Sequence, residues 1–281
     1  MFRDLLTRRR PLLAAGAALG AAGFGCTPFE PGTDELTQET LPAQESTEVG
    51  HDWSCLRDAR GPERIVPAPS GAQRLVQSLQ VISITTGLVP PGATARACSQ
   101  ADTACIMPVT PSVPVNSDGW VDLPVYEGFD GYIEITAESI VSTLLFYASP
   151  LTEAGRIDNT PLALVEKNVL PNLSNATGMA QSPELGLVYL RAFDCQAAPA
   201  PEVSFTLDRE GWEWYFVGDL PSSTATATTE SGLGGFINVA MGVAVVNAEI
   251  LELNRSVTEP QSLLVRPGWM TGLRFIPEPA P

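Results

Sequence analysis

Short runs of β-branched and aromatic residues alternate with clusters of Gly, Pro, Asp and Asn along this chain, and the pattern predicts an all-β protein. The densest example is 211–247, where β-prone runs at 212–217, 223–229 and 236–246 are separated by turn-forming clusters. Residues of these types suit a pleated, half-buried surface, and Gly-rich clusters between such runs mark chain reversals. We therefore predict antiparallel sheet in this region.

The first half of the chain repeats the pattern. An Asn-Ser-Asp-Gly turn at 116–119 separates two short apolar runs and predicts a hairpin, because Asp-Gly tolerates the positive φ of a tight turn. The other predicted strands of this half lie at 74–86, 94–98, 132–136 and 141–149. Later predicted strands lie at 185–193, 203–207, 256–265 and 272–276. Short strands with turns at short intervals indicate β-sandwiches.

Residues 150–183 differ from the rest and predict a linker with a short helix. The stretch 161–170 has apolar side chains on more than one face and begins with a proline, so we predict that a helix spans it and ends before Pro171. The predicted organisation is a first β-sandwich at 51–149, this linker, and a second β-sandwich at 184–281. The predicted fold class is two tandem antiparallel β-sandwiches.

The first 25 residues predict a signal peptide. Arg8, Arg9 and Arg10 form a positive start, and 11–24 is an apolar segment rich in Ala, Gly and Leu. That segment is shorter than the ~20 residues that span a bilayer. The sequence therefore predicts an exported protein, and it leaves open whether the general or the twin-arginine route is used.

The end of this segment, Gly-Phe-Gly-Cys at 23–26, resembles the bacterial lipobox, in which the cysteine is acylated and becomes the new N-terminus. Gly23 departs from the aliphatic residue usual there, and an ordinary signal peptide with an incidental cysteine is the alternative. The resemblance implies a lipid on Cys26 and anchoring in the cell envelope, at the outer membrane or the periplasmic face. Residues 26–50 are rich in Thr, Glu, Gln and Pro, which predicts a disordered acidic tether.

Charge excludes some partners. The net charge of the 281 residues is −16, and without the first 25 it is −19, from 12 basic and 31 acidic side chains. An acidic surface repels nucleic acid, so we expect none as a partner. A membrane through the lipid anchor, and an envelope protein or polysaccharide, remain as expected partners.

Five cysteines leave four if Cys26 carries lipid, an even number for an oxidising compartment. Cys98 and Cys105 are close enough in sequence to close one loop, and Cys55 would then pair with Cys195. Four cysteines allow three connectivities, so this pairing is a prediction from proximity. A zinc site is disfavoured, because His51 is the only histidine and no Cys-x-x-Cys is present.

Two stretches resemble the carboxypeptidase regulatory-like (transthyretin-like, peptidase-associated) β-sandwich. The first comprises Asp-Gly-Trp-Val-Asp-Leu at 118–123 and Gly-Phe-Asp-Gly-Tyr at 128–132. The second comprises Thr-Glu-Ser-Gly at 229–232 and Gly-Phe-Ile-Asn-Val at 235–239. Glu230 stands where Asp is usual, and Ala-Met-Gly at 240–242 where Pro-x-Gly is common. The resemblance implies that both predicted sandwiches are Ig/transthyretin-like. It also implies that they are non-catalytic modules with a scaffold or binding role.

Catalytic chemistry finds little support in the sequence. A nucleophilic triad needs a base, and His51 lies beside the predicted tether. Lys167 is the only lysine, and Gly-Leu-Gly-Gly at 232–235 lies between strands with no lysine after it. Four carboxylates could be considered for calcium, although their spacing does not follow an EF-hand loop: Asp118, Asp122, Glu127 and Asp130. We predict no enzyme, no cofactor and no metal.

The aromatic run at 212–217 raises one binding question. In a strand, Trp212, Trp214 and Phe216 share one face, where they would pack in a core or form a platform that stacks on a sugar ring. The leading hypothesis is a non-catalytic structural or interaction module of the cell envelope. A carbohydrate-binding module that uses Trp212 and Trp214 is the alternative, and exposure of the two rings distinguishes them.

Overall fold

A computed structural model describes residues 51–56, 72–148, 150–151, 154–156, 161–218 and 220–277, and its regular structure is almost entirely β-strand. The predicted all-β class is therefore confirmed. The first strands are β1 (Arg74–Ser83), β2 (Thr94–Ser99), β3 (Thr110–Pro114), β4 (Trp120–Tyr126), β5 (Gly131–Thr136), β6 (Thr143–Tyr147), β7 (Gly155–Arg156) and β8 (Leu162–Leu164). The short helix α1 (Leu170–Thr177) follows. The later strands are β9 (Gly186–Ala192), β10 (Val203–Leu207), β11 (Trp212–Val217), β12 (Leu220–Ser222), β13 (Leu233–Val239), β14 (Gly242–Ile250), β15 (Arg255–Ser256), β16 (Gln261–Val265) and β17 (Met270–Phe275).

One nine-stranded sheet runs through the described residues in the order β12-β11-β13-β9-β17-β6-β5-β2-β3. Its central strand, β17, pairs in parallel with β9 on one side and with β6 on the other. The sheet therefore contains strands from both predicted sandwiches, 51–149 and 184–281. Local sequence patterns cannot reveal this sharing, because they do not record which distant strand a parallel strand pairs with.

Two smaller sheets cover opposite faces of this shared sheet. Leu144 and Phe146 of β6 belong to a buried core with β10, β14 and β16, whereas Leu145 belongs to a core with β1 and β4. Successive side chains of a strand point to opposite faces, so the two cores lie on opposite sides of β6. Two sandwich-like layers are thus present, and they share the nine-stranded sheet between them.

Prolines mark both outer strands of the shared sheet. Pro111 and Pro114 lie in β3, and Pro221 lies in β12. Proline cannot donate a backbone hydrogen bond, so an edge strand that contains it resists pairing with another strand. This placement protects the sheet from edge-to-edge association.

The short helix lies later in the chain than the sequence predicts. The prediction placed it at 161–170, but Leu162–Leu164 is strand β8, which pairs in parallel with β1, and α1 begins at Leu170. Pro171, which was expected to end the helix, instead occupies its first turn, where the missing N–H has no intrahelical partner to lose. No helix in the described part of the chain has the length and apolar character needed to cross a membrane.

Three of the strand predictions in the C-terminal half are also wrong. The predicted strand at 256–265 is interrupted, because β15 ends at Ser256 and β16 begins at Gln261. Residues 223–229 form bends rather than a strand, and the predicted strand at 236–246 is two strands, β13 and β14, separated by a turn.

A bulge in β13 places Asn238 at φ 58°, and the side-chain oxygen of Asn238 accepts a hydrogen bond from the Ser182 backbone N–H at 2.7 Å. The bulge therefore fixes the segment after α1 against the sheet.

Gly235 allows β13 to approach β9. Its φ is +151°, and a Cβ atom there would lie 2.0 Å from the carbonyl oxygen of Val188. Any side chain would therefore push the two strands apart. The sequence identified Gly235 only as part of a turn cluster, but its role is close packing within the sheet.

Candidate functional site

The four cysteines of the folded part form two disulfides. Cys55 is bonded to Cys195 and Cys98 to Cys105, with Cα–Cα distances of 5.7 Å and 5.4 Å. These are the pairs that the sequence analysis favoured. The first bond ties the start of the described chain to the segment after β9. The second closes a loop after β2, called here the Cys98–Cys105 loop. Cys26, the predicted lipidation site, lies outside the described residues, as do the predicted signal peptide and tether.

His51 contacts an acidic side chain beside the first disulfide. Its Nδ1 lies 3.3 Å from Oδ2 of Asp194, and Oδ1 of Asp194 accepts backbone hydrogen bonds from Gln196 and Ala198, both at 2.9 Å. Among the described residues, no hydroxyl or thiol is hydrogen-bonded to the imidazole ring. The contact therefore holds the chain in place next to Cys195.

One group in the described residues has three potential metal-ligating atoms within 4.8 Å of one another: Cys98, Cys105 and Glu134. The two sulfur atoms are joined to each other, and both Glu134 oxygens are bound by arginines, so these atoms are already engaged. The carboxylates considered for calcium do not converge there. Asp122, for example, accepts a hydrogen bond from the Ser78 hydroxyl at 2.5 Å.

The two tryptophans of β11 have different environments. Trp214 is only 2% exposed and packs against Tyr189 and Phe216, with ring centroids 6.4 Å and 5.5 Å away. Trp212 is 61% exposed. The structure therefore places one ring in the core and one on the surface, and they do not form a two-ring platform.

The most conspicuous surface feature follows the second disulfide directly. Ile106 and Met107 are adjacent, and each is 80% exposed. We call these two residues the tip. Large apolar side chains at this exposure lose the free energy that burial would provide. The sequence analysis did not identify the tip, although a visible signal was present: the stretch 97–117 contains one charged residue, Asp102, in a chain of net charge −16.

Several bonds hold the loop that carries the tip. Asp102 accepts a hydrogen bond from the Met107 backbone N–H at 2.7 Å, and the Tyr132 hydroxyl donates to the Asp102 backbone oxygen at 2.7 Å. Arg266 donates to the backbone oxygen of Thr103 at 2.8 Å. Cys105 has a φ of 51°, a left-handed conformation that the disulfide and these contacts maintain. The tip is thus presented on a fixed backbone.

Below the loop, a buried carboxylate lies between two arginines. Glu134 of β5 accepts from Arg96 of β2 at 2.5 Å and from Arg266, just after β16, at 2.6 Å. The Arg266 guanidinium also lies over the rings of Tyr132 and Trp269, at 5.6 Å and 4.9 Å. We call Arg96, Glu134 and Arg266 the Glu134 cluster. It links strands of the two predicted halves and supports the loop from beneath.

Comparisons with known proteins identify no family for this chain. No family model and no curated protein matches it. Among solved structures, it is similar to the Bacillus anthracis TIE protein, with 11% identity and a TM-score of 0.26, over 73% of this chain and 34% of that chain. A streptococcal ancillary pilin gives 10% identity and a TM-score of 0.24, over 74% of this chain and 69% of that chain. The shaft pilin SpaA from Lactobacillus rhamnosus GG gives 7% identity and a TM-score of 0.23, over 74% of this chain and 98% of that chain. This chain thus spans about a third of the first of these, and likenesses at such TM-scores carry no functional conclusion.

The loop gives a prediction for the pH dependence of Asp102. Hydrogen bonds from the backbone N–H groups of Met107 and Ile106 stabilise the ionised carboxylate and hold its pKa below the usual 3.8. A lowered folded-state pKa means that the bonds contribute stability above pH 3.8 and lose it as the pH falls through the folded value. In an NMR titration, we expect the Met107 amide resonance to shift with a midpoint below 3.8. The shift should be absent in Asp102→Ala, and a midpoint at or above 3.8 would contradict the geometry.

Proposed function

We propose that this protein is an exported bacterial lipoprotein, anchored to an envelope membrane through acylated Cys26, and that its folded part is a non-catalytic interaction module. The observation that carries the anchor is Gly-Phe-Gly-Cys at 23–26, directly after an apolar segment that itself follows three arginines. The two disulfides support export, because such bonds persist in oxidising compartments.

The interaction role is supported by the surface of the folded part. Ile106 and Met107 project from a loop that a disulfide, Asp102 and Arg266 hold in place. Exposed apolar groups on soluble proteins mark contact sites when they are grouped and positioned rather than scattered. His51, the base that a triad would need, contacts Asp194, and the buried Glu134 is bound by two arginines, so both groups hold parts of the chain together.

Membrane fractionation of a Cys26→Ala variant tests the anchor. Wild-type protein and a neighbouring control, Thr27→Ala, should remain with the membrane through a high-salt wash and be released by detergent. Cys26→Ala should move to the soluble fraction, because the chain then lacks the thiol that is acylated. Retention in the membrane fraction of Cys26→Ala from which residues 1–25 have been removed, in the same proportion as wild type, would contradict the proposal.

Carbohydrate binding is the second candidate, and the exposure of Trp212 is the observation that favours it. A surface indole can stack on a sugar ring, but Trp214 is buried, so binding would depend on Trp212 alone. Affinity electrophoresis in gels that contain envelope polysaccharide gives a direct test. Trp212→Ala should lose any retardation, whereas Leu220→Ala, which removes another exposed apolar side chain, should keep it. Equal mobility of both variants and wild type excludes this role for Trp212.

A further inference from the structure

The charge distribution around the tip differs from that of the chain as a whole. From residue 97 to residue 117 the single charged side chain is Asp102, and its carboxylate accepts backbone hydrogen bonds within the loop. The adjacent edge strand β3 (Thr-Pro-Ser-Val-Pro) carries no charge at all. Arg96 and Arg266 contact the loop and bind Glu134, so their two positive charges balance the negative charges of Glu134 and Asp102. This area therefore has no net charge on a protein of net charge −16, and it can approach another surface without the repulsion that a net acidic charge causes.

The size of the tip indicates what kind of surface it suits. A stable protein interface buries roughly 800 Å² on each partner and is centred on aromatic or arginine side chains. The tip consists of two aliphatic side chains, and the neighbouring loop residues Ala101, Thr103 and Ala104 are small and exposed. Pro111 and Pro114 in β3 also oppose strand addition at this edge. A lipid bilayer requires neither a complementary shape nor a large contact area.

We infer that Ile106 and Met107 insert into the interfacial layer of an uncharged lipid bilayer and so orient the anchored protein on the membrane. The inference rests on the proposed function, because two side chains alone bind a bilayer weakly. A tether to the same membrane makes the insertion intramolecular, at an effective concentration in the millimolar range for a short flexible linker. The bonds that fix the loop reduce the conformational entropy that the tip would lose on insertion.

The chain contains a matched control for the test. Met241, in the turn between β13 and β14, is 66% exposed, whereas Met270 is buried at 4%. Labelling the methionine methyl groups with ¹³C therefore gives NMR signals from the tip, from another exposed methionine and from the core. All are observed in one sample.

The experiment uses the mature chain, residues 26–281, with Cys26→Ala and an N-terminal histidine tag, bound to phosphatidylcholine nanodiscs that contain nickel-chelating lipid. Acyl chains that carry a nitroxide broaden the signal of any methyl group that reaches them. We expect the Met107 signal to lose most of its intensity while Met241 and Met270 keep theirs. Ile106→Ser should lower the inserted fraction by roughly tenfold and restore the Met107 signal, because about half of the inserted apolar area is removed. Leu251→Ser, at an exposed site elsewhere, should leave the broadening unchanged.

Two outcomes overturn the inference. Unaffected Met107 intensity shows that the tip stays in water and leaves a protein partner as its contact. Equal broadening of Met107 and Met241 shows that the protein contacts the bilayer without a preferred face. Neither outcome bears on the natural anchor, because the engineered tag holds the protein to the disc. Failure of the lipoprotein proposal would be seen separately, in the fractionation of Cys26→Ala.

Discussion

Residues 184–281 expressed alone are expected to lack a cooperative fold. In the whole protein, β17 lies at the centre of the nine-stranded sheet and pairs with β6, whose residues 143–147 precede the fragment. Removing β6 leaves β17 paired only with β9, so the backbone groups along its other edge lose their partners. It also removes Leu144 and Phe146 from the core that contains Leu273 and Phe275, which are 2% and 0% exposed in the whole protein. β17 contains no proline of the kind that keeps the edge strands β3 and β12 from pairing with another chain. The fragment is therefore expected to aggregate or to remain unfolded.

Circular dichroism and urea unfolding of the fragment, next to residues 51–281, provide the measurement. The fragment contains Cys195 without Cys55, so both proteins should carry Cys195→Ala to remove the disulfide from the comparison. The longer protein should unfold in one cooperative transition, and the fragment should show none. A well-dispersed NMR spectrum and a sigmoidal unfolding curve for the fragment would show that the second sandwich folds independently.

Glu134→Gln is expected to destabilise the protein by about 3 kcal/mol, the lower end of the range for breaking a buried ion pair. The Glu134 side chain is 6% exposed, and the two arginines that contact it are 32% and 19% exposed. The substitution leaves two partly buried guanidinium groups without a counter-charge, although water reaches Arg96 and reduces the cost. The loss should appear as a lower urea midpoint with an unchanged slope.

Glu138→Gln is the matched control, because Glu138 lies just after the same strand and is exposed. Its free energy of unfolding should stay within about 0.5 kcal/mol of wild type. The Met107 amide resonance of the tip provides a second readout, because Arg266 contacts both Glu134 and the Cys98–Cys105 loop. Equal stability of the two variants would show that the Glu134 cluster does not join the two halves energetically.

Features that depend on local sequence were predictable. Alternating apolar residues at 74–83 and 120–126 identified β1 and β4, because one face of each strand packs against the core and the other does not. Proximity in sequence favoured the bond between Cys98 and Cys105, and the bond between Cys55 and Cys195 followed from it.

Features that depend on tertiary context were not predictable. The parallel partners of β17 are more than 70 residues away in sequence, and nothing in 270–275 identifies them. The helix was misplaced because the apolar residues of 161–170 suit a helix as well as a strand. Pairing with β1 makes the first part of this stretch the strand β8. Arg96, Glu134 and Arg266 are unremarkable in sequence and meet only after the sheet forms.

The tip is an intermediate case. Ile106 and Met107 directly follow Cys105 and begin an apolar run, so the sequence by itself predicts that both are buried. Their exposure follows from the loop, where the disulfide, the left-handed conformation of Cys105 and the hydrogen bonds of Asp102 turn the backbone outward.

The two tryptophans of β11 differ in the same way. Trp214 packs in the core, as one of the two expectations had it, whereas Trp212 lies on the surface.

The measurement that tests the central claim most directly is the intact mass of the native protein extracted with detergent from its own cells. The account predicts a chain that begins at Cys26 and carries the added mass of a diacylglyceryl group with or without a further acyl chain. Loss of this mass in Cys26→Ala would assign the modification to that residue. A native protein whose mass equals that of an unmodified chain, released into the soluble fraction, would contradict the lipoprotein assignment.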